Sequence, residues 1–193
     1  MMQLSALLWG MALLFGYIGY SRGWNKEVIS LSGIVLGLFA LFEFDDVLRG
    51  TLLANVPAAQ VFLVQTVIFG VIVFFAYQTK ALIGADVPVA RRGDRERDRD
   101  RDRDAGRDQL QTNILGAVVG FLNGYLIWGT LWYFMHINSY PLAPYLTRPT
   151  PGSPSDVVIN QLPLFLLAGG PAGDGNLLAG AVIVLFLIVL IVI

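Results

Sequence analysis

Long uncharged apolar runs alternate with short charged joints along this chain. Asp, Glu, Lys and Arg are absent from residues 1–21, 28–42, 50–79, 109–147 and 175–193. The hydrocarbon core of a bilayer is about 30 Å thick, so a helix rising about 1.5 Å per residue needs roughly 20 mostly apolar residues to cross it. The first such helix is expected over Leu4–Tyr20 and the second over Val28–Phe44. Pro57 suits the first turn of a third helix, placed at 57–79, and a fourth is expected over Asn113–Met135. The 15 uncharged residues of the second window would reach only about 22 Å, which puts Glu43 at the interface or makes that helix shallow. The last run, 177–193, is rich in Val, Ile and Leu; a fifth membrane helix is expected there in preference to an interfacial segment.

The pattern therefore predicts an all-α integral membrane protein: a four-helix transmembrane bundle with a fifth, C-terminal membrane helix. Residues 1–80 hold the first three helices, 81–112 form a cytoplasmic Arg/Asp-rich linker, and 113–135 form the fourth helix. Residues 136–176 make an extracytoplasmic Pro/Gly-rich segment before the final helix at 177–193. Within that segment the apolar piece Val157–Ala168 is broken by Pro163 and is expected to lie on the membrane surface. The first run has no basic lead-in and no small-residue cleavage site, so it is expected to be retained as a helix.

Charge sets the expected orientation. If the N-terminus, the 45–56 loop and the 138–176 segment share one side, that side carries only Arg49 and Arg148. The other side carries Arg22, Lys26, Lys80 and the eight arginines between Arg91 and Arg107. Positive residues stay on the cytoplasmic side, which places the N-terminus outside and the Arg/Asp loop inside.

Composition narrows the chemistry. Hydrophobic residues make up 55% and charged ones 14%, far from the soluble norm. The absence of cysteine excludes disulfides and thiol catalysis, and the lone histidine, His136, excludes a multi-histidine metal site. His136 lies beside Trp128, Trp132, Tyr133 and Phe134, rings that favour the headgroup layer, and reads as an interfacial residue. The stretch Arg91–Asp108 alternates eight arginines with seven acids, leaving a net charge of +1 and no aromatic ring for base stacking. It reads as a solvated, self-neutralising linker, with no nucleic acid as partner. No nucleophile–base pair or mid-depth ionisable group is visible in the apolar runs, so the expectation is a non-enzyme without cofactor or metal.

Glycines recur every four residues at Gly116, Gly120 and Gly124. Gly33 and Gly37 repeat the spacing in the second helix, and Gly16, Gly19 and Gly23 line the first. Smooth stripes of this kind let helices pack closely in lipid, either within the chain or against another copy. Asn123 and Gln65 fall inside apolar helices, and each is expected to bond to another helix or a second subunit.

The turn Gly19-Tyr20-Ser21-Arg22-Gly23-Trp24-Asn25-Lys26-Glu27, running on to Gly33, resembles the signature of the colicin V production protein family of bacterial inner-membrane proteins. The family shows a Gly-x-x-Arg-Gly turn, an aromatic residue, then Glu and a glycine-bearing helix. Leu115–Gly124, with its three spaced glycines, is similar to the family's fourth helix. Asn123 stands where the family often carries a basic residue, and the Arg/Asp tract replaces a short connection. The resemblance covers about residues 1–135. It implies a multi-pass protein supporting toxin production or export and envelope homeostasis, working as a scaffold with copies of itself or with another membrane protein. The alternative is a subunit of a small oligomeric channel or transporter built around the Asn123 face. In the turn, Glu27 is placed to pair with Arg22 or to cap the second helix. Arg22, Gly23, Trp24 and Glu27 are expected to form a docking point for a partner.

Overall fold

The computed structural model describes the backbone of residues 3–78 and 98–192, and the side chains of 3–78 and 109–191. Its elements run α1 (Leu4–Arg22), α2 (Trp24–Glu43), α3 (Asp45–Val47), a π-helical turn (Leu48–Leu52), α4 (Ala58–Tyr77), α5 (Asp98–Ile137), α6 (Pro154–Ile159), α7 (Pro163–Ala168), a 3₁₀ turn (Gly170–Ala172) and α8 (Asn176–Val192). There is no strand among the described residues. Four of the described stretches are long and apolar enough to cross a membrane: Leu4–Arg22, Trp24–Glu43, Ala58–Tyr77 and Gln109–Ile137.

Three features differ from the sequence expectation. Helix α2 starts at Trp24 rather than Val28, which lengthens it to 20 residues, about 30 Å. The second helix therefore has the length of a full span. Two charged residues, Lys26 and Glu27, enter its first turn because Glu27 finds its countercharge at Arg22, inside the bundle. Helix α5 begins at Asp98, not Asn113, so the expected linker is helical from 98 onward. Residues 81–97 of the expected linker lie outside the described residues.

The third difference concerns 157–168. This stretch folds into parts of α6 and α7 and packs onto one end of the bundle, where Val158, Ile159, Leu162, Leu164 and Ala168 are buried. Pro163 breaks the piece as expected, by opening α7, and its ring sits where a side chain on Gly129 of α5 would collide. Ser5 at the start of α1 bonds Ser155 through its amide (3.2 Å) and its hydroxyl (3.1 Å). Helix α8 is 17 residues long, about 25 Å, just short of a full span, and lies against α2.

Helix α5 is the spine. Helix α1 runs along it for most of its length, and α2 packs against α5, α4 and α8. Ile34, Leu38, Phe69 and Phe134 fill the centre, the two rings meeting edge to face at 5.9 Å. The bundle has two chemically distinct ends. One holds Arg22, Glu27 and Tyr77. The other holds the start of α1, the turn at 44–57 and the segment 138–176, the grouping that the charge pattern implies.

Candidate functional site: two polar nodes at opposite ends of the bundle

The first node begins with a glycine. Gly23 ends α1 with φ +84, donating its N–H to Gly19 O, and is at once the residue before α2. Glycine adopts that conformation without strain, so the chain reverses in one residue. Arg22 and Glu27 are thereby brought face to face across the reversal. Arg22 Nη1 donates to Glu27 Oε1 at 2.6 Å, with the Glu27 side chain 0% and the Arg22 side chain 14% exposed.

A carboxylate removed from water needs its remaining lone pairs filled. Glu27 Oε2 accepts from Asn123 Nδ2 at 2.7 Å and from the Tyr77 hydroxyl at 3.4 Å. Asn123 Nδ2 also reaches the Glu27 backbone carbonyl at 3.2 Å. A carboxylate only accepts, so the Asn123 amide must turn its nitrogen toward Glu27. That leaves Oδ1 without a partner among the described residues.

The other face of Arg22 serves the end of α4. Its Nη2 donates to Tyr77 O at 3.4 Å, one of the last-turn carbonyls that a helix cannot satisfy itself. The guanidinium carbon lies 4.4 Å from the centre of the Tyr77 ring, within cation–π range. Ser30 Oγ lies 3.1 Å from Ala76 O and 3.0 Å from Lys26 O, joining α2 to α4 beside it. One ion pair thus draws α1, α2, α4 and α5 into a single contact.

The second node belongs to the other end. Asp45 Oδ1 accepts from Arg49 Nε at 3.0 Å and from Gln65 Nε2 at 2.8 Å. Gln65 Oε1 accepts from Asn138 Nδ2 at 2.9 Å and from Arg49 Nη2 at 3.4 Å. Asn138 Nδ2 also donates to Phe134 O at 2.7 Å. The polar chain ties the turn after α2 to α4 and to the end of α5. At the same end of α5, His136 Nδ1 lies 3.1 Å from the Tyr140 hydroxyl, which also accepts from Trp132 Nε1 at 3.2 Å. Burial pushes the Tyr140 phenol above its ordinary pKa, which keeps it protonated in this role.

Glycine stripes join α1 to α5. A methyl on Gly120 would stand 2.8 Å from Gly19 Cα, and one on Gly124 would stand 2.9 Å from Ala12 Cα. A methyl on Gly116 would lie 2.9 Å from Gly23 Cα. The α1 and α5 backbones are in direct contact. Gly33 instead faces the side chain of Ala76, and Gly37 that of Ile72, so α2 and α4 meet through side chains.

The residues expected to form the docking turn and the helix contacts all lie among the described residues. Arg22, Gly23, Glu27 and Asn123 converge on the first node, while Trp24 stands half-buried beside it and Asn25 is exposed. Glu27 faces inward, which leaves the outward side of the turn to Ser21, Trp24 and Asn25. Asn123 and Gln65 both find partners inside the chain. Tyr77 and Ser30 complete the first node, yet a tyrosine ending an apolar run and a serine inside a helix carry no distinctive signal. Asp45 and Asn138 are equally silent as partners of Gln65, because 20 and 73 residues separate them from it. Among the described residues no three His, Cys, Asp or Glu side chains come together as a metal site would require.

Compared with family models, with curated proteins and with solved structures, the chain finds no match.

Proposed function

We propose that this chain is a non-enzymatic, multi-pass scaffold of the bacterial cytoplasmic membrane. In this reading it supports toxin production or export and envelope homeostasis, as its resemblance to the colicin V production protein family implies. The Arg22 end and the Arg/Asp tract face the cytoplasm, the Asp45 end faces out, and α8 is inserted as a fifth membrane helix. A cytoplasmic partner would meet the turn after α1 at Ser21, Trp24 and Asn25, its outward residues.

The observation that carries the scaffold reading is how the polar groups of the long helices are engaged. Glu27, Arg22, Asn123 and Gln65 all hold parts of this chain to one another. What the helices present outward is apolar: Leu63, Val71 and Phe75 on α4, and Ile114, Val118 and Leu122 on α5. A bundle clamped at both ends, with an apolar belt, fits a protein that works by contact with lipid and with membrane partners. Any homo-oligomer would use that belt, because α1 already covers the Gly116–Gly120–Gly124 stripe. The channel alternative draws no support from Asn123, whose nitrogen is engaged by Glu27 within a single chain.

The deciding experiment tags the Arg/Asp loop, cross-links in the native membrane, and identifies what co-purifies in mild detergent. An exporter or envelope complex recovered reproducibly supports the scaffold reading and names its process. Homo-oligomers without another partner, together with solute flux in liposomes, would replace it with the channel.

A further inference from the structure

Helix α5 is 40 residues long, about 60 Å, twice the thickness of hydrocarbon, so its first part extends beyond a membrane that its apolar part crosses. That first part is the Arg/Asp tract from Asp98 to Asp108. Along the chain the tract is self-neutralising, but wound into a helix it separates its charges. A helix turns about 100° per residue, so the positions of Arg103 and Arg107 fall about 40° and 80° round from Arg99. Those of Asp100, Asp104 and Asp108 fall at about 100°, 140° and 180°. An arginine ridge and an aspartate ridge therefore run side by side, with a seam between them at about 90°. Within each ridge like charges stand four residues apart, an unfavourable spacing on a single helix.

The seam continues into the apolar part of the helix. On the same angular scale Ile114, Val118 and Leu122 lie at about 60°, 100° and 140°. They are the side of α5 that the bundle leaves uncovered, 56%, 56% and 43% exposed. Gly116, Gly120 and Gly124 lie at about 260°, 300° and 340°, the side that α1 covers. Beside the exposed stripe a shallow apolar groove of about 440 Å³ runs between α1 and α5, lined by Leu13, Gly16, Tyr17, Val118 and Leu122. One continuous face of α5 thus passes from an apolar stripe to paired ridges of opposite charge.

We propose that this face of α5 pairs with the same face of a second copy of the chain. Copies inserted in one membrane share an orientation, so their α5 helices run parallel, related by a two-fold axis along the membrane normal. About such an axis, whatever lies on one side of the seam meets what lies on the other side in the partner. The arginine ridge of each copy then faces the aspartate ridge of the other, and the Ile114–Val118–Leu122 stripe meets its own counterpart. A partner of a single charge would attract one ridge and repel the other, whereas a second copy satisfies both. Exposed ion pairs fix partner and register more than affinity, and confinement in the bilayer supplies the encounter. The pairing deepens the scaffold reading by naming one partner, and takes from that reading only that α5 crosses a membrane.

The chain has no cysteine of its own, so one introduced next to the seam reports the pairing as a disulfide. The test uses the full chain, purified and reconstituted in phosphatidylcholine liposomes at low protein density, under mild oxidation. Val118→Cys should cross-link about tenfold more than Phe75→Cys, a lipid-exposed position on α4, and less at high salt. In the Val118→Cys chain, Arg99→Asp with Arg103→Asp and Arg107→Asp makes both ridges acidic, and Asp100→Arg with Asp104→Arg and Asp108→Arg makes both basic. Each triple variant alone should cross-link about tenfold less, and an equal mixture of the two should return to the parent level. That recovery separates lost charge matching from a failure to fold. Equal cross-linking at Val118 and Phe75, or none at Val118, overturns the proposal. So does pairing that survives both triple variants, or a mixture that does not recover. A chain that stays single in liposomes yet captures an exporter in its native membrane would overturn the pairing alone and leave the scaffold reading standing.

Discussion

The two ends of this bundle treat charge in opposite ways. At the Arg22 end, one guanidinium meets one carboxylate at 2.6 Å, both largely shielded from water, and the remaining hydrogen-bonding capacity is taken up by Asn123 and Tyr77. At the Asp45 end, the ion pair of 3.0 Å is part-exposed, and further carboxylates stand around an open cavity with no cation among the described residues to neutralise them. Charge that is buried and balanced fixes geometry, because removing either partner strands the other in a medium that cannot solvate it. Charge that is exposed and unbalanced contributes little to the fold. The first end should govern stability and the second should not.

The largest effect is expected from Arg22→Ala, which leaves the Glu27 carboxylate buried without its cation. A loss of about 3–5 kcal/mol is expected, measured as unfolding free energy in mild detergent or by steric trapping in bicelles. Replacing both residues together, Arg22→Met with Glu27→Leu, should recover much of that loss, since no charge is then stranded. If the double variant were as unstable as the single one, the ion pair would not be what binds the four helices.

Next comes the glycine contact. Gly120→Ala forces a methyl against the backbone of Gly19 and should cost about 1–3 kcal/mol. Gly37→Ala should be milder, because it meets the side chain of Ile72, which can shift more readily than a backbone. Equal costs at the two positions would show that α1 and α5 separate as easily as a side chain moves. Asn123→Leu should cost about 1–3 kcal/mol, the penalty for leaving Glu27 Oε2 short of its closest donor. The smallest effect belongs to the other end. Glu43→Gln and Asp46→Asn should each change stability by less than about 0.5 kcal/mol, because both are exposed and neither holds a helix. A larger change in thermal unfolding would mean that these acids are part of the clamp.

Much of this arrangement is legible in the residues themselves. Four long apolar runs translate into four helices of spanning length, and Arg22 five residues before Glu27 around a glycine points to a pairing or a helix cap, of which the structure shows the pairing. Other features are not. The charge pattern places the start of α2 at Val28, because charged residues ordinarily end a membrane span. Lys26 and Glu27 belong to the helix only because Arg22 comes back to meet Glu27. The fate of 157–168 is equally hidden in the chain. Its apolar content requires burial, and the notch at Gly129 that receives Pro163 makes the end of the bundle the place where much of it is buried.

The sequence by itself determined four helices long and apolar enough to cross a membrane, since hydrocarbon thickness and the desolvation cost of charge translate directly into the length and purity of apolar runs. It also determined that helices would pack closely, because glycine stripes permit backbone contact in lipid. Only the tertiary structure decided which helices share those stripes, setting Gly19 against Gly120 and Gly33 against Ala76. It alone gathered Glu43, Asp46, Asp174 and Tyr133 around one cavity. The physical reason is the same in both cases. A pattern along one helix names the face that must be covered, but every neighbour of similar shape satisfies it equally, and the choice among them falls to loops and polar partners far away in the chain.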